Sequence, residues 1–221
     1  MSTSIAAAPS TAPSRIARPG GSWWLLLAGF VLVAVSELVA PHQSVASDDP
    51  AQRAQFLVEH QGPLLASYVM AFLAAPIIGA MFVRLGCLPA GRGRIVGRIA
   101  AGFGALGATG LAGLRTADMI SLDLYVQDPS VAPVVETVGE TGASGAVVFL
   151  ALLVGMMTGL VLLAIAAVRA GWAPWWIIAL AVAAVVSDFL PFDYKTTLFG
   201  LLAALVCGLV LAGARRASRT S

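Results

Sequence analysis

The sequence predicts an all-α fold, a polytopic membrane helix bundle with six transmembrane helices and both termini cytoplasmic. Three observations carry that prediction. The chain is 59% hydrophobic and only 11% charged, whereas soluble domains hold about 25% charged residues, so it lacks the material for a water-facing surface. Apolar runs of roughly 18 residues or more recur along it, the length at which a helix crosses a bilayer. Basic and acidic residues gather at opposite ends of those runs.

Residues 1–22 are Ser-, Ala- and Pro-rich with no apolar period, and read as a disordered cytoplasmic tail. The first run, 23–41, opens on Trp23 and Trp24 and contains Glu37. Arg15 and Arg18, this run, and then Ser44 and Ala46 loosely imitate a cleavable signal peptide. The run is longer than a signal core and holds an acid, so an uncleaved first helix is expected. The second run, 63–84, contains Pro76, whose missing N–H predicts a kink. In the third, 95–115, Gly104, Gly107, Gly110 and Gly113 recur every third residue, with Gly97 and Gly102 before them. Residues three apart neighbour each other on a helix, so these predict a smooth ridge for close helix packing at the centre of the bundle. The connection 123–145 is long for a helix turn; around Pro133–Val138 it reads either as a short amphipathic helix or as plain surface loop. Runs 144–168, 173–190 and 196–214 complete the domain 23–214, and 215–221 form a basic tail.

The orientation follows from charge. Arg15, Arg18, Arg84, Arg92, Arg94, Arg98, Arg169, Arg215, Arg216 and Arg219 lie on one side, leaving Arg53, Arg115 and Lys195 of the 13 basic residues for the other. Basic residues collect in the cytoplasm. All 11 acids lie in or near the opposite segments, and the tryptophans cluster at the basic ends as an interfacial belt would. The predicted location is the bacterial cytoplasmic membrane, with the lipid bilayer as principal partner.

Several function classes are excluded or disfavoured. There is no basic stripe interleaved with aromatics for nucleic acid, and no Walker A loop, HExxH, GxSxG or aspartate-rich diphosphate motif. Cys87 and Cys207 are too few for a thiol cluster and are not spaced as CxxC. His42 and His60, with Glu59, lack a helical ligand spacing, so neither metal nor cofactor is expected. The arginines of GRGRIVGR, 91–98, suit anionic headgroups.

Polar residues inside the runs are the candidate site. Glu37 lies fourteen residues beyond Trp23, about 21 Å along its helix, and Asp188 twelve beyond Trp176, about 18 Å. Arg115 closes the third run with Asp118 three residues on, and Tyr68 stands near the outer start of the second. Charges at membrane depth turn inward and find partners, so Arg115 is expected to pair with Glu37, Asp188 or Asp118. The grouping reads either as an ion pair locking the bundle or as an outward-opening pocket. In the pocket reading Glu37, Tyr68, Arg115, Asp118 and Asp188 bind, and Glu37 or Asp188 is the candidate catalytic acid. Asp193, Tyr194 and Lys195 are assigned to the water interface, after Pro191 ends the fifth helix.

The stretch VRAGWAPWWIIALAVAAVVSDF, 168–189, resembles a group of six-helix integral membrane proteins of unknown function common in actinobacteria. An Arg-Ala-Gly-x-x-Pro-x-Trp turn introduces their penultimate helix; here it is Arg169, Ala170, Gly171, Pro174 and Trp176, with Trp175 where a basic residue is usual. Residues 56–85 are similar to their second helix. The resemblance covers most of 23–214, is mainly topological, and implies architecture without an activity.

Three functions stay open. A non-enzymatic membrane protein would bind a small amphiphilic molecule or a partner from the outer side. A membrane-embedded enzyme, resembling the integral-membrane terpenoid cyclases in layout, would use a carboxylic acid as proton donor, with Tyr68, Phe189 and Phe192 facing a cation. A small proton-coupled carrier would relay protons through Glu37 and Asp188, although no acids line the cytoplasmic end.

Overall fold

The computed structural model describes residues 21–41, 50–89, 91–131, 133–135, 137, 142–191 and 194–220. The expectations for residues 1–20, His42, Ser44, Ala46, Phe192 and Asp193 lie outside the described residues. Among those described there is no strand. A 3₁₀ stretch, Gly21–Leu27, leads into α1, Ala28–Val39; then come α2, Pro50–Glu59, and α3, Gln61–Cys87. Next are α4, Arg94–Gln127, α5, Ala143–Arg169, α6, Trp176–Ser187, and α7, Lys195–Thr220.

Helices α3, α4, α5 and α7 are long and apolar enough to cross a membrane, by length and composition. The first and fifth runs form shorter helices. The 3₁₀ stretch and α1 together rise about 32 Å, since a 3₁₀ helix climbs faster per residue. The 12 residues of α6 rise only about 18 Å. The predicted 173–190 was therefore too long: beyond Ser187 the backbone tightens, with Asp188, Phe189 and Leu190 N–H donating three residues back, to Val185, Val186 and Ser187. Pro191 explains this, because it disfavours helical geometry in the residue before it. The predicted 95–115 was too short, since α4 runs to Gln127. Its extra turns carry Leu122 and Tyr125, and Tyr125 packs with Leu57 and Val58 of α2 and with Val131 and Val135. Residues 133–135 are helical, in keeping with the short-helix alternative for the long connection. Helix α3 continues through Pro76 without interruption.

Six helices form a closed ring in the order α1, α3, α4, α5, α6, α7 and back to α1. The α3–α4 and α4–α5 contacts are the most extensive, and α5 meets α6 and α7 more sparingly. The glycine ridge makes the difference. A methyl group at Gly107 would collide with the backbone of Met156, and one at Gly110 with that of Leu152. Small residues let membrane helices approach until backbones touch, as expected for run three. Gly102 is off the ridge, with open space where a Cβ would be. At the centre Phe30 of α1 meets Phe82 of α3 and Phe199 of α7 edge to face, ring centres 6.2 and 6.1 Å away. At the end of the bundle holding the described termini, the Arg215 guanidinium lies over the Trp24 ring at 4.9 Å.

Candidate functional site

Bounded by α1, α4, α5, α7 and the turn after α6, a cavity of about 460 Å³ opens in the half of the bundle away from the described termini. Its walls come from five places in the chain: Val33 on α1; Leu111, Leu114 and Arg115 on α4; Phe149, Leu152, Leu153, Met156 and Met157 on α5; Asp188 and Phe189 after α6; and Lys195, Thr196 and Phe199 on α7. The early end of α6 matters here. By stopping at Ser187, it leaves Asp188 and Phe189 on the tight turn that forms part of the wall.

Arg115 is the most constrained polar group in the wall. One of its terminal nitrogens donates to Asp118 Oδ2 at 2.9 Å, so the pairing expected among three acids is made with the one a helical turn away. The guanidinium also stands 5.7 Å from the centre of the Tyr68 ring on α3, within cation–π range. Its Nε is shut away from water and has no hydrogen-bond partner among the described residues. Guanidinium groups carry five N–H donors in a fixed fork, and a buried donor left without an acceptor is costly. Across the cavity, Thr196 Oγ1 donates to Asp188 Oδ1 at a long 3.4 Å, and the Lys195 charge attracts the same carboxylate. Thr197 Oγ1 donates to Ala34 O at 3.2 Å and ties α7 to α1 beside the site.

The predicted site residues thus divide. Arg115 and Asp188 line the cavity. Asp118 and Tyr68 hold Arg115 from behind without being among the described lining residues. Glu37 is half-buried near the end of α1 and is not among the described lining residues; Val33, one turn earlier, is. Lys195, assigned from sequence to the water interface, is exposed and also lines the cavity, because α7 begins there. The α5 contribution was missed altogether. Its signal is a stripe of bulky residues at 149, 152, 153, 156 and 157, the spacing of one helical face.

No protein-family model, curated protein or solved structure matches the chain. Functional inference therefore rests on the cavity and its chemistry.

Proposed function

We propose that the chain is a six-span protein of the bacterial cytoplasmic membrane, both termini cytoplasmic, whose outer half binds a small amphiphilic molecule. The observation that carries this is the cavity of about 460 Å³, inside the roughly 300–1,000 Å³ typical of small-molecule sites. Like those sites, it combines predominantly apolar walls with a few fixed polar groups, here Arg115, Asp188, Lys195 and Thr196. Six spans and the inward termini are supported by the arginine distribution; in this reading α6 spans with help from the turns flanking it. Kinship with the six-helix actinobacterial group is part of the same proposal. The test is native mass spectrometry of the full chain released from nanodiscs. A bound molecule should be retained, and Leu153→Trp, which puts an indole into the space, should expel it. A chain that retains nothing, and that gains no thermal stability from membrane extract, would refute the reading.

A second reading is enzymatic, favoured by Asp188 sharing the cavity with Phe149, Phe189 and Phe199. An acid facing aromatic rings could protonate an alkene or epoxide and leave the rings to stabilise the cation. Asp188→Asn would then abolish product formation from a hydrophobic substrate while leaving binding intact. Equal product from this variant would exclude that role.

A further inference from the structure

We infer that the cavity takes a single-tailed amphiphile with a carboxylate head, and that this ligand enters sideways from the membrane between Phe149 and Phe189. The inference rests on the pocket-binding reading above and adds the head group and the route.

Charge and hydrogen bonding choose the head. Among the described lining residues the cations are Arg115 and Lys195 and the acid is Asp188, while Asp118 behind the wall takes up part of the Arg115 charge. Arg115 spends one terminal donor of its five on Asp118, and Lys195 brings three more, so the lining holds more donors than its one acid. A carboxylate supplies two acceptor oxygens in the plane that suits a guanidinium fork. Its single charge is repelled less by Asp188 than a phosphate with up to two charges would be. Tyr68 beneath the guanidinium and Asp118 beside it hold the fork in place, so little ordering is left for the ligand to impose.

The remaining wall chooses the tail. It is aliphatic, thioether and aromatic, and about 460 Å³ has room for one chain or ring system rather than the two chains of a phospholipid. The route follows from exposure. Phe149 and Phe189 line the cavity yet are 50% and 64% exposed, while Phe199 at its inner wall is 7% exposed. In a membrane bundle such rings face acyl chains, so the gap between α5 and the turn after α6 opens toward lipid. Methionines in the wall, Met156 and Met157, adapt to an irregular chain.

The experiment uses the full chain in nanodiscs with palmitate carrying a terminal diazirine. Photolabelling should fall on 149–157 and on the start of α7. Unlabelled palmitate should compete about tenfold or more better than hexadecanol, the expected size for one charge-assisted contact. The double variant Arg115→Gln/Asp118→Asn, which leaves no unpaired acid, should lose labelling by a similar factor while remaining monodisperse. Raising the lipid-to-protein ratio at fixed total probe should dilute labelling in proportion, because the source is the bilayer. Equal competition by hexadecanol overturns the carboxylate while leaving the pocket reading standing. Labelling that ignores the lipid ratio overturns the lateral route. If neither the palmitate probe nor a diazirine hexadecanol labels the lining, the pocket reading falls with the inference.

Discussion

Toward α4, helix α5 presents Gly155 and Gly159, and the two backbones come so close that a Cβ at Gly155 would collide with Gly107. Toward α6 and α7 it presents Phe149, Leu153, Met156 and Met157, and there the neighbours stand apart around a cavity. Both faces are apolar, so hydrophobicity cannot explain the contrast. Lipid tails are as apolar as leucine, and membrane helices associate through close packing rather than escape from water. Glycines permit that packing; large side chains on a face whose partner α6 stops early prevent it. An unfilled void forfeits dispersion contacts along its lining, which a bound tail would restore. The closed face sets the geometry, and the open face is free to bind.

The contrast breaks most violently at Gly107. Gly107→Leu drives a side chain into the Met156 backbone, and overpacking of this kind costs about 3 kcal/mol or more. The thermal midpoint should fall by roughly 6–12 °C for a chain of this size, or the protein should fail to purify as a single species. Gly102→Leu, with open space around it, should change stability by less than about 1 kcal/mol. Equal effects at the two positions would mean that helix propensity, not the seam, governs stability.

Arg115 joins the two faces, because it leaves the seam helix to line the cavity. Removing one partner of a buried pair costs roughly 3–5 kcal/mol, but these side chains are 20% and 29% exposed. A loss of about 1–3 kcal/mol is therefore expected for Arg115→Gln after allowing for screening. Adding Asp118→Asn should restore most of it, as a thermal double-mutant cycle would read. If the double variant is no better than the single one, the arginine matters through packing on Tyr68 rather than through charge.

The open face should tolerate what the closed face cannot. Leu153→Trp adds bulk toward empty space, so its stability should lie within about 1 kcal/mol of the parent, the range of well-accommodated swaps. Ligand retention should nevertheless disappear. A destabilisation as large as that of Gly107→Leu would show that the cavity closes in solution and that the two faces do not differ.

These contrasts were unequally legible in the sequence. Glycines at every third position announce a seam, since spacing alone places them on one face. The depth of Arg115 and Asp188 followed from counting 1.5 Å per residue. Depth is only one coordinate, however, and Glu37 shares it while lying outside the described cavity lining. Whether two residues at one level face each other depends on helix rotation and splay, which come from packing between distant segments. The last turns of α4 were hidden because Asp118 and Asp123 end the apolar run without ending the helix. Lys195 was hidden because its exposed position at the start of α7 is also part of the cavity wall.

The smallest effect is expected far from both faces, where α4 ends. Asp128 follows its last residue, and its Oδ1 accepts from the Ser130 N–H at 3.0 Å. The Ser130 hydroxyl first, and then that backbone bond, hold the Asp128 carboxyl below the usual aspartate range. The folded state therefore favours the ionised form, so the contribution is present above the unfolded value near 4 and is lost as pH falls through the lower folded value. Because the group is fully exposed, Asp128→Ala should shift the thermal midpoint less than any variant above, and the two proteins should begin to converge near pH 4 and meet only once the pH is below the lower folded value. Hydrogen exchange at pH 7 should quicken only for amides near 124–131, where the turn no longer secures the helix end. Faster exchange along α5 as well would tie the C-terminal end of α4 to the seam, and the closed face would then owe part of its rigidity to residues beyond the helix end.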